Sequence, residues 1–172
     1  MKRKILLAII LVIACSFITK TFSFTISAID PKSGIAKITL EKPTAVIQTK
    51  GKTATTSSSY TISNAKSLVR IKINDAVFQS SLNNLNSLGG PSDYISLYKL
   101  SSGKTSRSFI INTDGTTNAA LIPVNFIPTE TRVNTKINPA QALIPGEYAF
   151  VDMSTKTADG SNITVWTFGI DN

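Results

Sequence analysis

The apolar and polar positions of this chain divide it into an apolar leader and a body of short strand-like segments. Alternation is clearest in residues 67–73, where Val69, Ile71 and Ile73 fall on one side of an extended chain and two basic residues on the other. A period of two is typical of a strand with one buried face. Residues 132–137 repeat the pattern less regularly, with a break at Thr135.

Further segments are apolar on both faces, which is typical of inner strands. They are Tyr94–Leu100, Phe109–Asn112, Leu121–Ile127, Tyr148–Met153 and Ile163–Ile170. Turn signals separate them at short intervals, and the clearest are Asp114-Gly115, Pro145-Gly146 and Asp159-Gly160. Many short strands with frequent turns favour an all-β fold, either a sandwich or a barrel. We expect a single β-sandwich, immunoglobulin-like or similar.

The same pattern predicts two hairpins and little helix. We expect Phe109–Asn112 to pair with the next strand along the chain, and Tyr148–Met153 to pair with Ile163–Ile170. Residues 138–143 begin with Asn-Pro, which predicts a short helical turn. Residues 75–88 have a partly helical spacing but several Asn residues, and they predict a loop with one helical turn.

Residues 1–28 have the layout of an export signal. Three basic residues at positions 2–4 precede an apolar run that extends to Ile18. The positive end of such a segment stays at the inner face of a membrane while the apolar helix enters the bilayer. We therefore expect a signal or anchor helix within residues 1–28 and a β-sandwich domain over residues 29–172.

Three fates of this leader stay open. Ordinary cleavage would fall after Ser23 or Ala28, since both residues are small. Residues 12–15 read Val-Ile-Ala-Cys and resemble a bacterial lipobox, which implies lipidation of Cys15. The third fate is an uncleaved anchor that tethers the N-terminus to a membrane. All three predict an exported protein, in the periplasm, the outer envelope or the extracellular space.

Composition removes several classes of chemistry. The chain has 172 residues, with 18 Lys and Arg, 10 Asp and Glu, one Cys and no His. Without His there is no Ser-His-Asp triad, no Cys-His pair and almost no route to a zinc, copper or haem site. The single Cys lies in the leader, so no disulfide can form within the domain. We expect no cofactor and no metal site.

The positive charge is concentrated in the leader. Residues 1–28 hold four of the 18 basic residues and no acidic one, so 14 basic and 10 acidic residues remain, and the net charge falls from +8 to +4. This mild excess gives little attraction for nucleic acid, and no nucleic-acid partner is expected. A basic group at Lys66, Arg70 and Lys72 is interpreted as a solvated face.

Few residues suggest catalysis. Ser63 and Ser101 each begin an S-x-x-K sequence, but the companion motifs of the serine enzymes that use it are missing. Residues 103–105 are similar to the end of a P-loop, but Tyr98 stands where its first glycine is required. Carboxylates are the remaining acid–base groups, and a small carboxylate-dependent hydrolase stays an alternative.

Four aromatic residues are candidate ligand-binding residues. Tyr94, Tyr98, Tyr148 and Trp166 would form a platform for a sugar ring or a peptide. The competing interpretation is core packing, which is the commoner role of aromatic residues in strands. The platform interpretation implies a protein or polysaccharide partner.

The end of the chain resembles a closing hairpin of uncharacterised bacterial exported β-sandwich domains. The resemblance is carried by residues 143–150, where a Pro-Gly turn leads into Glu147 and Tyr148, and by residues 166–171. It implies a β-sandwich in the cell envelope and implies no activity.

Together these features predict an exported, non-enzymatic envelope or secreted protein with a binding or structural role. The carboxylate hydrolase is one alternative, and two carboxylates facing each other in a concave pocket would favour it. An adaptor subunit of an envelope complex is another. A long, unpaired, apolar edge strand would favour the adaptor, since such an edge accepts a strand from a partner.

Overall fold

The computed structural model describes residues 24–30, 32, 36–41, 44–47, 57–82, 90–112, 118–129 and 134–172. The predicted signal or anchor helix and Cys15 lie outside these residues. Within the part of the chain that is described, no helix has both the length and the apolar character needed to cross a membrane.

The described residues form an all-β structure with a single turn of α-helix. The strands are β1 Phe24–Ile29, β2 Ala36–Thr39, β3 Thr44–Ile47, β4 Ser57–Ser63, β5 Arg70–Lys72, β6 Phe78–Leu82, β7 Ile95–Lys99, β8 Ser101–Ser102, β9 Ser106–Asn112, β10 Leu121–Ile122, β11 Val124–Pro128, β12 Asn134–Pro139, β13 Gly146–Asp152 and β14 Asn162–Asp171. The helical turn α1 is Pro91–Tyr94, and 3-10 turns occur at Ile73–Asp75 and Met153–Thr155. The all-β prediction is therefore confirmed.

Five strands form a small antiparallel sheet in the order β11-β12-β6-β1-β2. Strand β6 lies within residues 75–88, which were expected to form a loop with one helical turn, whereas β12 overlaps the strand expected at 132–137 and continues into the helical turn expected at 138–143. Phe78 of β6 gives the physical reason. Its ring packs 5.0 Å from that of Phe150 and 4.7 Å from that of Phe168, so core packing overrides the weak local preference.

Nine strands form a large sheet that curls on itself. Its path is β10-β7-β13-β14-β3-β4-β9-β8, and β5 joins β14 in parallel. Only Leu100 separates β7 from β8, and these two strands pair with β13 and β9 respectively. The continuous segment 95–102 therefore closes a ring of strands.

Two apolar clusters fill the molecule. The first core draws side chains from both sheets: Ile26, Ala28, Leu40, Ile71, Phe78, Ile95, Leu97, Ile122, Ile137, Leu143, Tyr148, Phe150, Trp166, Phe168 and Ile170. The second core lies on the other face of the large sheet, inside the ring: Ala45, Tyr60, Ile62, Tyr98, Leu100, Phe109, Ile111, Ala149, Val151, Ile163 and Val165. Strands β7, β13 and β14 contribute to both cores, which explains why their segments are apolar on both faces.

One predicted hairpin is confirmed and the other is wrong. Strands β13 and β14 pair from Gly146↔Ile170 to Asp152↔Thr164 around a turn that includes Gly160, whose φ is +70°. In contrast, β9 pairs with β4 and β8, whereas β10 pairs with β7. The ring of Phe109 explains the difference, because it stacks 5.4 Å from Tyr60 of β4 in the second core.

The first strand begins inside the predicted leader. Strand β1 starts at Phe24, and Ile26 is fully buried in the first core. It pairs with β6 on one side and β2 on the other. The folded unit therefore includes residues 24–28, upstream of the expected domain start at 29.

Candidate functional site

A group of charged and hydroxyl side chains, buried at its centre and exposed at its outer side, gathers where β5, β9, β13 and β14 meet. We call it the Arg107 cluster, and its members are Glu41, Ser67, Arg70, Arg107, Glu147, Thr167 and Asp171. Its side chains come from segments far apart in sequence, which the sheet path brings together.

Arg107 is the centre of this cluster, with no exposed surface. Its Nε donates to the carbonyl of Asn64 at 3.0 Å and Nη2 donates to the carbonyl of Ser63 at 3.4 Å. Nη1 donates to Glu147 Oε2 at 3.4 Å, and Nη2 lies 3.9 Å from Glu41 Oε2. A buried guanidinium needs such compensation, because desolvating an unpaired charge is costly.

The two glutamates of the cluster, Glu41 and Glu147, are bound from several sides. Ser67 links them: its backbone N–H donates to Glu147 Oε2 at 2.8 Å and its hydroxyl donates to Glu41 Oε2 at 2.7 Å. Glu41 Oε2 also accepts from the Thr167 hydroxyl at 3.0 Å and from the Leu68 N–H at 3.2 Å. These carboxylates therefore hold residues 67–68 against β13 and β14.

Arg70 covers the outer side of the cluster. Its guanidinium pairs with Glu147 and with Asp171, and Gly169 lies beneath it. A Cβ at position 169 would overlap that guanidinium, so a larger residue there requires Arg70 to shift away from its partners. The sequence interpretation of Arg70 as part of a solvated basic face is wrong, because its partners lie 77 and 101 residues away.

Hydrogen bonds within the cluster favour the charged forms of Glu41, Arg70 and Asp171. Burial pushes the pKa of Glu41 up, but the hydrogen bonds from Ser67 and Thr167 outweigh it and hold this pKa below its usual value. The hydrogen bond from Arg70 lowers the pKa of Asp171, and the bond to Asp171 raises the pKa of Arg70. A general acid requires a raised carboxyl pKa, which Glu41 lacks.

A second feature is a small pocket beside β7 and β10, which we call the Lys99 pocket. Its volume is about 260 Å³. It is lined by Lys99, Ala119, Ile122, Gln141, Ala142, Leu143, Ile144 and Tyr148. Lys99 is the one charged residue of this lining, and the Tyr148 hydroxyl is already engaged, since it donates to the Ile144 carbonyl at 2.7 Å. No carboxylate lines the pocket, so it lacks the paired acids of a hydrolase.

A third feature is the outer edge of β11. Among the described residues this strand has a neighbour, β12, on one side only. The Pro123 carbonyl accepts from Ala140 and the Thr129 N–H donates to Asn134, so the odd-numbered residues bond to β12. Val124, Phe126 and Pro128 must then direct their backbone groups away from β12.

This edge corrects one sequence expectation. Residues 121–127 were expected to form an inner strand, but they form β10 and β11, which are end strands of the two sheets. Val124 and Phe126 are half-buried against the first core, whereas Ile127 faces outward and is 48% exposed. Pro123 separates the two strands, and the chain changes sheets there.

The four predicted aromatic residues do not meet on one surface. Tyr148 and Trp166 are buried in the first core, Tyr98 is buried in the second core, and Tyr94 is half-buried beside the first. Three buried side chains on two faces of a sheet cannot present one open platform to a sugar ring. Of these four residues, Tyr148 lines the Lys99 pocket.

The described residues contain no group of three or more metal-ligating side chains of the His, Cys, Asp and Glu types. Comparison with protein-family models, curated proteins and solved structures finds no match to this chain.

Proposed function

We propose that this chain is an exported, non-enzymatic β-sandwich protein of the envelope or the extracellular space, and that it acts by binding. One observation carries the proposal. Among the described residues, the half-buried Glu41 and the buried Glu147 are bound within the Arg107 cluster, while the accessible features include an unpaired apolar strand edge and a pocket without acids. This distribution suits recognition better than acid–base chemistry.

The sandwich form is supported by the first core, to which both sheets contribute side chains. The small sheet supplies Ile26, Phe78 and Ile137, and the large sheet supplies Leu97 and Phe150 among others. Two antiparallel sheets that bury one face against each other are the defining feature of this architecture.

The leader supports export, and the position of β1 favours one of the two candidate cleavage sites over the other. Cleavage after Ser23 would leave β1 whole, whereas cleavage after Ala28 would remove Ile26 from the core and the pairing with β6. We therefore favour Ser23 over Ala28 for an ordinary cleavage. Lipidation of Cys15 leaves β1 whole as well.

The adaptor role is the form of binding that β11 favours. Its outer edge is unpaired among the described residues, and it carries no charged side chain. Soluble monomers usually protect such an edge with charges, proline, bulges or a covering segment, and β11 has one proline, Pro128, at its end. The carboxylate hydrolase loses support, because Glu41 and Glu147 face Arg107 and Ser67 and do not line the pocket.

The test is the intact mass of the protein from fractionated cells. Export predicts one of three results. The mass is that of a chain that begins at Phe24 and is found outside the cytoplasm, that of a lipidated chain that begins at Cys15, or that of the full-length chain in the inner membrane. The control variant Ile10→Asp interrupts the apolar run and should retain the full-length chain in the cytoplasm. A full-length parent protein in the cytoplasm would refute export.

A further inference from the structure

We propose that the outer edge of β11 and the Lys99 pocket together bind the C-terminal segment of a partner protein, which adds to the small sheet as an antiparallel strand. This assignment rests on the proposed function, because it names the partner of that binding role. Three properties of the described residues support it: the hydrogen-bonding groups of the edge, its side-chain pattern, and the charge at one end.

The backbone groups of the edge define the incoming strand. Val124 and Phe126 each direct one N–H and one carbonyl outward, whereas Pro128 offers only a carbonyl. An added antiparallel strand can therefore form two backbone hydrogen bonds with Val124, two with Phe126 and one with Pro128. Pairing is poorest at the Pro128 end, so the partner's segment enters there and is held most firmly near Val124.

The side chains of the edge specify apolar positions in the partner. Residues directly opposite each other in an antiparallel pair share one face of the sheet. Residues that pair with Val124 and Phe126 would therefore lie beside the first core and extend it, which requires apolar side chains. The residue between them would point outward, next to the exposed Ile127.

The direction of the added strand brings its C-terminus to the pocket. A strand antiparallel to β11 runs from Pro128 towards Val124 and onward to Ile122, which lines the Lys99 pocket. Two residues of chain span at most about 7 Å, so Ile122 lies within that distance of Val124. The last side chain of the partner thus reaches the apolar wall of the pocket.

Charge and size favour a chain end over a larger ligand. Lys99 is an exposed ammonium and Gln141 an exposed amide at the pocket, and its other lining residues are apolar apart from the engaged Tyr148 hydroxyl. A free carboxylate matches the ammonium, and one apolar side chain matches the walls. The volume of about 260 Å³ lies below the ~300–1,000 Å³ typical of pockets for whole small molecules.

The experiment uses the purified protein and a library of random decapeptides displayed with free C-terminal carboxylates. Selected peptides are synthesised both as the free acid and as the C-terminal amide. We expect alternate apolar residues in the selected sequences and at least tenfold tighter binding of the acid. Selection of no peptide, or equal affinity of acid and amide, would overturn the proposal.

Two variants locate the binding. Lys99→Met should abolish the preference for the acid, while the matched control Lys104→Met, in the turn after β8, should keep it. Val124→Pro removes an outward N–H without touching the bonds to β12, and it should weaken both peptide forms at least tenfold. Unchanged peptide affinity in a folded Val124→Pro protein would overturn the edge assignment.

Two further measurements separate the alternatives. Saturating peptide should slow hydrogen exchange of the Phe126 amide in the parent protein, which needs no variant to fold. Sedimentation should show a monomer. A dimer that Val124→Pro dissociates would assign the edge to a second copy and overturn the peptide proposal. Export is tested separately, by the intact mass of the protein from fractionated cells. A protein that is exported but binds no peptide would therefore refute this inference and still support export.

Discussion

Replacing Arg107 by Met tests whether the Arg107 cluster stabilises the fold. The substitution keeps most of the volume but removes a fully buried charge and its bonds to two carbonyls and Glu147. Breaking a buried ion pair costs about 3–5 kcal/mol when the partner stays charged. In this variant Glu147 still pairs with Arg70 and accepts from the Ser67 N–H, and Glu41 still accepts from three donors. We therefore expect the free energy of unfolding to fall by about 3 kcal/mol, the lower end of that range.

The assay is urea and thermal unfolding at pH 7. For a domain of this size, 3 kcal/mol corresponds to a fall in Tm of roughly 6–12 °C. Lys104→Met, which removes an exposed charge, should change the free energy of unfolding by less than about 0.5 kcal/mol. The double variant Arg107→Met with Glu147→Gln should lose less than the sum of the two single losses, because each single change already removes the bond between these two residues. A loss below about 1 kcal/mol in Arg107→Met would refute the reasoning.

Three further outcomes are expected. The pKa values of Glu41 and Asp159 lie below their usual values, that of Asp159 at about 2. The free energy of unfolding should therefore be at its full value above about pH 5 and fall as the pH is lowered. Glu41→Gln should flatten the pH dependence of the urea midpoint. Gly169→Ala should lower the free energy of unfolding by about 1–3 kcal/mol, and much less in an Arg70→Ala background, where the overlapping guanidinium is gone. A chain that starts at Phe24 should show a cooperative thermal transition, whereas one that lacks β1 should not; a normal transition without β1 would contradict its place in the core.

The sequence predicted those parts of the fold that depend on local pattern. The closing hairpin of β13 and β14 was predicted correctly, because both segments are apolar throughout and a turn with Asp159-Gly160 lies between them. Strand β6 was missed because Asn residues dominate the local preference of its segment, and only the last part of β12 was missed, because an Asn-Pro step at 138–139 predicts a helical turn. The strand conformation of β6 is favoured by the packing of Phe78 against Phe150 and Phe168, which lie far along the chain.

The Arg107 cluster could not be found from the sequence for a related reason. Arg107 and Glu147 are 40 residues apart, and Arg70 and Glu147 are 77 apart. Nothing in their neighbouring residues indicates that β9 and β13 converge, because that convergence depends on closure of the ring through segment 95–102. A strand position between two Ser residues, as at Arg107, gives no local sign of full burial.

Residues 121–127 connect the wrong part of the fold prediction with the proposed function. An apolar pattern on both faces is typical of a strand with neighbours on both sides, yet β11 has one neighbour among the described residues. The apolar pattern of residues 121–127 would be explained if β11 receives a second neighbouring strand from another protein chain. Val124 and Phe126 would then become fully covered, and Ile127 would lie beside a side chain of the added strand. The composition of β11 would therefore suit an inner strand of the complex that we propose.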